Sequence, residues 1–216
     1  MPMLNKLRLN KLDALIVEFD TGLRTLLAKP HSLRPHPDAN IAESQLSEAE
    51  KKHVSALMRI NHTGEVCAQA LYSGQALTAK NSATHSTMQQ SAREETEHLA
   101  WCENRITELG GRTSLLNPLF YAGSFTLGTI AGALGDQWSL GFLEETENQV
   151  GAHLANHLEQ LPVSDEKSRK IIEQMQRDEA HHAHEAHQLG AADLPAPAKF
   201  LMKQMSKLMT KTTYHF

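Results

Sequence analysis

The sequence predicts an all-α protein in which four long helices pack as a bundle. Three observations carry this. Helix formers such as Ala, Leu, Glu, Gln and Met are plentiful, while β-branched runs are scarce. Long helical segments open at capping patterns and stop at glycine or proline. One uncharged stretch, residues 113–135, divides those segments into two pairs.

In chain order, residues 4–28 read as an amphipathic helix, with Leu12, Leu15, Ile16, Phe19, Leu23 and Leu26 near helical spacing. Pro30, Pro35 and Pro37 then mark a linker. Residues 1–45 are thus expected to be a helix and linker preceding a domain over 46–216. Ser47 followed by Glu50 is a capping-box pattern that opens a helix running to about residue 80. A second spans roughly 86–109 and stops at Gly110-Gly111. A third runs roughly 136–161, before Pro162, and a fourth roughly 165–189, before Gly190. Short loops inside each pair favour antiparallel neighbours, and one long crossover between pairs is the ferritin-like arrangement.

Composition narrows the function. With 216 residues, 40% hydrophobic and 21% charged, the chain can bury a core and stay soluble. A net charge of −4 gives no argument for nucleic acid. Cys67 and Cys102 have neither CxxC nor zinc spacing, so they read as reduced, buried thiols. Charges at Lys6, Arg8 and Lys11 interrupt the apolar residues of the N-terminus, so no secretory signal is expected and the cytoplasmic side is the default.

Spacing singles out six residues. The first pair of helices offers Glu65, then Glu95 and His98; the second offers Glu147, then Glu179 and His182. Each half reads Glu, about thirty residues, Glu-x-x-His, with separations of 30 and 32 residues. Thirty residues is one helix down, a turn, and part of the next helix back to the same depth. The i, i+3 spacing places Glu and His on one face, one turn apart. Four carboxylates and two imidazoles are the ligand set of di-iron and di-manganese carboxylate sites, with Glu95 and Glu179 as the expected bridges. A lone Glu-x-x-His would be better read as a solvated face; the matched repeat is what gives it weight.

Spacing alone leaves the register open. Glu144 and Glu145 compete with Glu147, Asp178/His181 competes with Glu179/His182, and Glu94 and Glu97 flank Glu95. Asp178 and Glu94 are expected to hold ligand imidazoles by hydrogen bonds. His184 and His187 read as a solvated face, Tyr72 and Trp101 as packing, and His153 as a surface histidine.

Two flanking features point toward a membrane surface. The crossover is apolar and nearly long enough to span a bilayer, but Pro118 and Gly123, Gly128, Gly132 and Gly135 disfavour a spanning helix. A helix lying in the interface or covering the bundle is expected. At the C-terminus Lys199, Lys203, Lys207 and Lys211 recur every four residues beside Phe200, Leu201, Met205, Leu208 and Met209, a basic amphipathic pattern suited to anionic headgroups.

Met58-Arg-Ile-Asn-His-Thr-Gly-Glu65, Glu95-x-x-His98 with Trp101-Cys102, Asn117-Pro-Leu-Phe-Tyr121, Glu144-Glu-Thr-Glu147 and Arg177-Asp-Glu-Ala-His-His182 resemble the demethoxyubiquinone hydroxylase family of ubiquinone biosynthesis. The resemblance covers about residues 47–216. It implies a ferritin-like di-iron monooxygenase, peripheral on the cytoplasmic side of the cell membrane, acting on a polyprenylated demethoxybenzoquinol. It implies two iron ions per chain, held by Glu65, Glu95, His98, Glu147, Glu179 and His182, with O2 as co-substrate. The external reductant is the quinol itself or a donor such as NADH, for which no dinucleotide-binding motif exists here. Proteins of the same pathway and further copies of the chain are conceivable partners. The competing reading with the same ligands is a ferritin or rubrerythrin-type ferroxidase, peroxidase or storage protein.

Overall fold

A computed structural model describes residues 11–216. Seven helices are present among them: α1 (Lys11–Leu27), α2 (Glu48–Thr78), α3 (Ser82–Glu108), α4 (Asn117–Ala133), α5 (Asp136–Gln160), α6 (Glu166–Gln188) and α7 (Ala196–Thr213). The expected N-terminal helix begins outside the described residues, and its remainder is α1. The expected all-α bundle is formed by α2, α3, α5 and α6. Hairpins α2–α3 and α5–α6 pack together through α3 against α6 and α2 against α5.

Local chemistry sets the boundaries. Ser47 caps α2 with a complete capping box: its hydroxyl accepts from the Glu50 amide, and Glu50 accepts from the Ser47 amide at 2.8 Å. Asp165 caps α6 by accepting from the Ser168 amide at 3.1 Å. Gly110 (φ 72°) and Gly190 (φ 93°) end α3 and α6 in the left-handed conformation that glycine adopts most easily. Helix α3 starts four residues earlier than its sequence pattern suggests. The Asp136 carboxylate accepts from the Lys80 and Asn81 amides at 3.0 and 2.8 Å, which fastens the tight α2–α3 turn to the start of α5.

The crossover covers the bundle as helix α4, laid along α2. Gly128 and Gly132 are its contact surface. A Cβ at Gly128 would collide with the Leu71 backbone, one at Gly132 with Thr78 and Gln75, and one at Gly74 of α2 with the Phe125 carbonyl. Overpacking typically costs about 1–3 kcal/mol, so Gly128→Val is expected to lower the melting temperature by about 2–12 °C, at roughly 2–4 °C per kcal/mol for a chain this size. Circular dichroism melts check this, and an unchanged melt would contradict the α2–α4 packing. The outer face of α4 remains apolar and exposed at Leu119 and Ile130, continued by Leu115 and Leu134 on either side. Among the described residues no helix is long and apolar enough to cross a membrane.

Two apolar cores fill the ends of the bundle, and a smaller cluster of Val66, Ala70, Leu99 and Tyr121 joins α2 and α3 to α4. One core gathers Val54, Leu57, Met58, Trp101, Ile106, Leu154, Ile171, Ile172 and Met175. The other gathers Ala68, Tyr72, Met88, Leu140, Leu143 and Ala186. On every bundle helix, the residues of interest lie between a member of the first core and a member of the second. Glu65 falls between Met58 and Ala68, His98 between Met88 and Trp101, Glu147 between Leu143 and Leu154, and Glu179 between Met175 and Ala186. The polar site is a waist between two oily ends.

Candidate metal centre

All six spaced residues converge at that waist, each of them buried. Their donor atoms form two sets, within each of which the atoms lie no more than 4.8 Å apart. Glu65, Glu95, His98 and Glu179 make one; Glu95, Glu147, Glu179 and His182 make the other. Glu95 and Glu179 belong to both. Two hairpins related by a pseudo-twofold give this result when each supplies one Glu-x-x-His and one opposing Glu.

The imidazoles have fixed orientations. His98 Nδ1 faces Glu95 at 2.9 Å and Glu179 at 3.3 Å, and its Nε2 meets Asp178 at 2.9 Å. His182 Nδ1 faces Glu179 at 3.2 Å and Glu95 at 3.3 Å, and its Nε2 meets Glu94 at 2.8 Å. The supporting pairs are crossed: Asp178 on α6 holds the imidazole of α3, and Glu94 on α3 holds the imidazole of α6. Such partners fix the tautomer and aim the opposite nitrogen, so Nδ1 is the atom each histidine offers inward.

The electrostatics are those of a buried, tightly packed set of carboxylates and imidazoles. Burial pushes the Glu65 carboxyl well above its ordinary range, and the neighbouring Glu95 charge adds to this. Glu147 is raised in the same way by burial and by Glu179. Burial also opposes charge on His98, but Glu95 and the hydrogen bond to Asp178 outweigh it and hold the imidazolium well above its usual range. His182 is likewise raised against burial by Glu179, Glu94 and Glu95. Burial works against the Glu95 charge too, yet His98 and the hydrogen bonds from Glu65 and His182 bring it well below the ordinary value. Glu147 Oε1 is buried without a hydrogen-bond partner, and Glu95 Oε1 and Glu179 Oε1, equally buried, each face only an imidazole Nδ1 at 3.3 Å, too poorly aligned for a full hydrogen bond. Burying such atoms without a partner is costly, and divalent cations satisfy them. Hard oxygens with two imidazoles suit iron or manganese.

The competing registers fall outside this cluster. Glu144 meets His187 at the surface at 3.1 Å, and Glu145 pairs with Lys199. His181 is exposed and faces Glu185, while His184 is exposed beside Gln188. Tyr72 is a core residue, and His153 is half-buried against the His157 ring. Cys102 is buried beside Met175, and burial raises the Cys67 thiol to about 11, so both are poor nucleophiles. Trp101 does more than pack. It lies against the His98 ring at 5.1 Å and donates to Ser32 of the linker at 3.0 Å. The residue missed from the sequence is Arg34. It pairs with Asp178 at 3.0 Å and with Glu97, and its guanidinium sits over Trp101. It sits in the proline-marked linker, whose sequence carries no hint of a role.

Residues 52–213 match the family model described as Ubiquinone biosynthesis protein COQ7. This chain belongs to the COQ7 family. Curated COQ7 relatives agree along nearly the whole length. The 3-demethoxyubiquinol 3-hydroxylase of Chromobacterium violaceum is 62% identical over 203 residues, covering 94% of this chain and 98% of the relative. That of Laribacter hongkongensis is 61% identical over 204 residues, covering 94% and 99%. That of Nitrosomonas europaea is 61% identical over 203 residues, covering 94% and 98%.

Proposed function

We propose that this COQ7 family member is a di-iron monooxygenase that hydroxylates the ring of demethoxyubiquinol, the step named for its relatives. The carrying observation is the pair of buried donor sets that share Glu95 and Glu179. Glu65, Glu95, His98, Glu147, Glu179 and His182 are the proposed ligands. Two iron ions held there would supply O2 activation and electron transfer that no side chain offers. Glu65 and Glu147 would each serve one ion, and the shared pair would bridge. Asp178 and Glu94 hold the imidazoles in place, and the two apolar cores keep bulk water from the waist.

A lipid-borne substrate fits the outer surface. Phe19 and Leu23 of α1, Leu119 and Ile130 of α4, and Phe200, Leu201 and Leu208 of α7 are exposed. Helices α1 and α4 touch each other as well as α2, so their apolar faces adjoin. We place the protein on the cytoplasmic surface of the cell membrane, with these faces toward lipid and α7 lysines toward anionic headgroups. The near-complete coverage of hydroxylase relatives favours this reading over ferroxidase or storage.

Complementation tests it. In a host lacking its own hydroxylase, the chain should restore ubiquinone and clear demethoxyubiquinone from extracted quinones. Persistence of demethoxyubiquinone with expressed, iron-loaded protein would refute the assignment.

A further inference from the structure

The two halves of the centre mirror each other in their ligands but not in what supports them. At the His98 end, Asp178 is fixed three ways. Its Oδ2 meets His98 and accepts from Arg34 Nη2 at 3.0 Å, while its Oδ1 accepts from Gln174 at 2.8 Å. Arg34 is itself immobilised. Its Nε donates to Glu97, whose other oxygen accepts from the Leu33 and Arg34 amides at 3.3 Å, and its guanidinium sits 4.9 Å from the Trp101 ring centre. Trp101 is tied to Ser32 and lies against His98. The linker thus straps one end of the centre shut.

At the His182 end the equivalent carboxylate is Glu94. It holds His182 at 2.8 Å and, among the described residues, otherwise accepts from Gln90 alone, at 3.2 Å. Its side chain is 27% exposed, against 13% for Asp178. Arg34 acts on Glu94 through space without an ion pair.

We propose that Arg34 makes the two metal positions unequal: it is a positioning residue that clamps Asp178 onto His98, so the His98 position holds its ion tightly while the His182 position exchanges. The reasoning is mechanical. A ligand imidazole can swing away only if its outer hydrogen bond yields. The Asp178 bond is braced by a bidentate-capable arginine anchored on a stacked indole, and arginine's planar fork loses little freedom in forming such contacts. The Glu94 bond is braced by one exposed glutamine. Ions with the same four-donor set therefore leave at different rates. The linker, far from the ligands in sequence, belongs functionally to the centre.

This rests on the di-metal reading above, and the test separates the two. The full chain is loaded anaerobically with Fe(II), and release to an excess of chelator is followed by absorbance. The expected wild-type trace has two phases of equal amplitude. Arg34→Gln should speed the slow phase by roughly 10-fold, the low end of what losing Asp178, the direct partner of His98, would cost, and leave the fast phase alone. Glu94→Gln should speed only the fast phase. Arg34→Lys, which keeps the charge without the fork, should fall between. Melts of the metal-free variants control for folding. A merely structural Arg34 would lower those melts and leave two unaltered phases, which overturns the proposal. A single wild-type phase releasing two ions overturns this proposal alone, and a chain that binds no iron overturns both readings.

Discussion

Glu95→Ala is expected to empty both metal positions, whereas Glu147→Gln should empty one. Glu95 contributes to both donor sets, and Glu147 to the second only. Removing Glu95 also takes away one of the two carboxylates that face both His98 Nδ1 and His182 Nδ1. Its loss should lower hydroxylation by more than about 100-fold, because losing a mere hydrogen-bonding partner of a ligand already costs roughly 10- to 100-fold. Iron per chain, measured on protein reconstituted anaerobically, should fall from two to none for Glu95→Ala and to one for Glu147→Gln. Glu144→Gln is the control for register. Glu144 lies one turn from Glu147 yet meets His187 at the surface, so its variant should keep both ions. Two ions retained by Glu95→Ala would sink the shared-ligand assignment. One ion lost in Glu144→Gln would shift the register of α5.

Much of this centre was legible because helical hairpins turn depth into sequence distance. Glu65 and Glu95 are brought level by a helix, a turn and a return, and the same holds for Glu147 and Glu179. Caps at Ser47 and Asp165 and the stops at Gly110 and Gly190 obey local rules, so they could be read locally. The carboxylates Asp178 and Glu94 could be picked out as supports, but their crossed pairing could not, since it depends on how α3 meets α6. The crossover glycines are instructive in another way. In sequence they argue only against a spanning helix; in the structure Gly128 and Gly132 let α4 approach α2 backbone to backbone. That purpose needs the partner helix to be known. Arg34 was beyond reach for the same reason. Its partner Asp178 lies 144 residues away, and no period or motif links a linker arginine to a helix carboxylate.

The stability of the protein should fall with rising pH in the metal-free state and stay level when metal is bound. In the metal-free chain, His98 and His182 hold their protons above the ordinary histidine value because carboxylates face them. Stability from a raised group is complete below its unfolded value and is lost as pH climbs toward the folded one. Glu65 and Glu147, also raised, act in the same direction for as long as the folded protein keeps their protons. Groups whose values are lowered, Glu95 and Glu94 among them, work oppositely, but only in acid. His62 and His157 are lowered by burial to about 4 and about 3, and Asp178, against burial, is lowered by His98 and Arg34 to about 2. Above pH 7 those histidines are neutral, and these carboxylates charged, in both states, so they drop out. Between pH 7 and pH 8.5 the metal-free protein should therefore lose about 1.4 kcal/mol of stability per pH unit for each extra proton retained, and its melting temperature should fall with it. Metal binding needs those same protons gone, so metal-conferred stability should grow over the same range. At free metal near a thousand times Kd, each site adds about 4 kcal/mol. Two sites should then raise the melting temperature by roughly 16–32 °C. Melts of chelated and Mn(II)-loaded protein at pH 7.0, 7.7 and 8.5 decide the matter. A gap that widens with pH ties the buried protons to the metal positions. Parallel curves would mean that the protons and the metals occupy different places, and the waist would no longer be the metal centre.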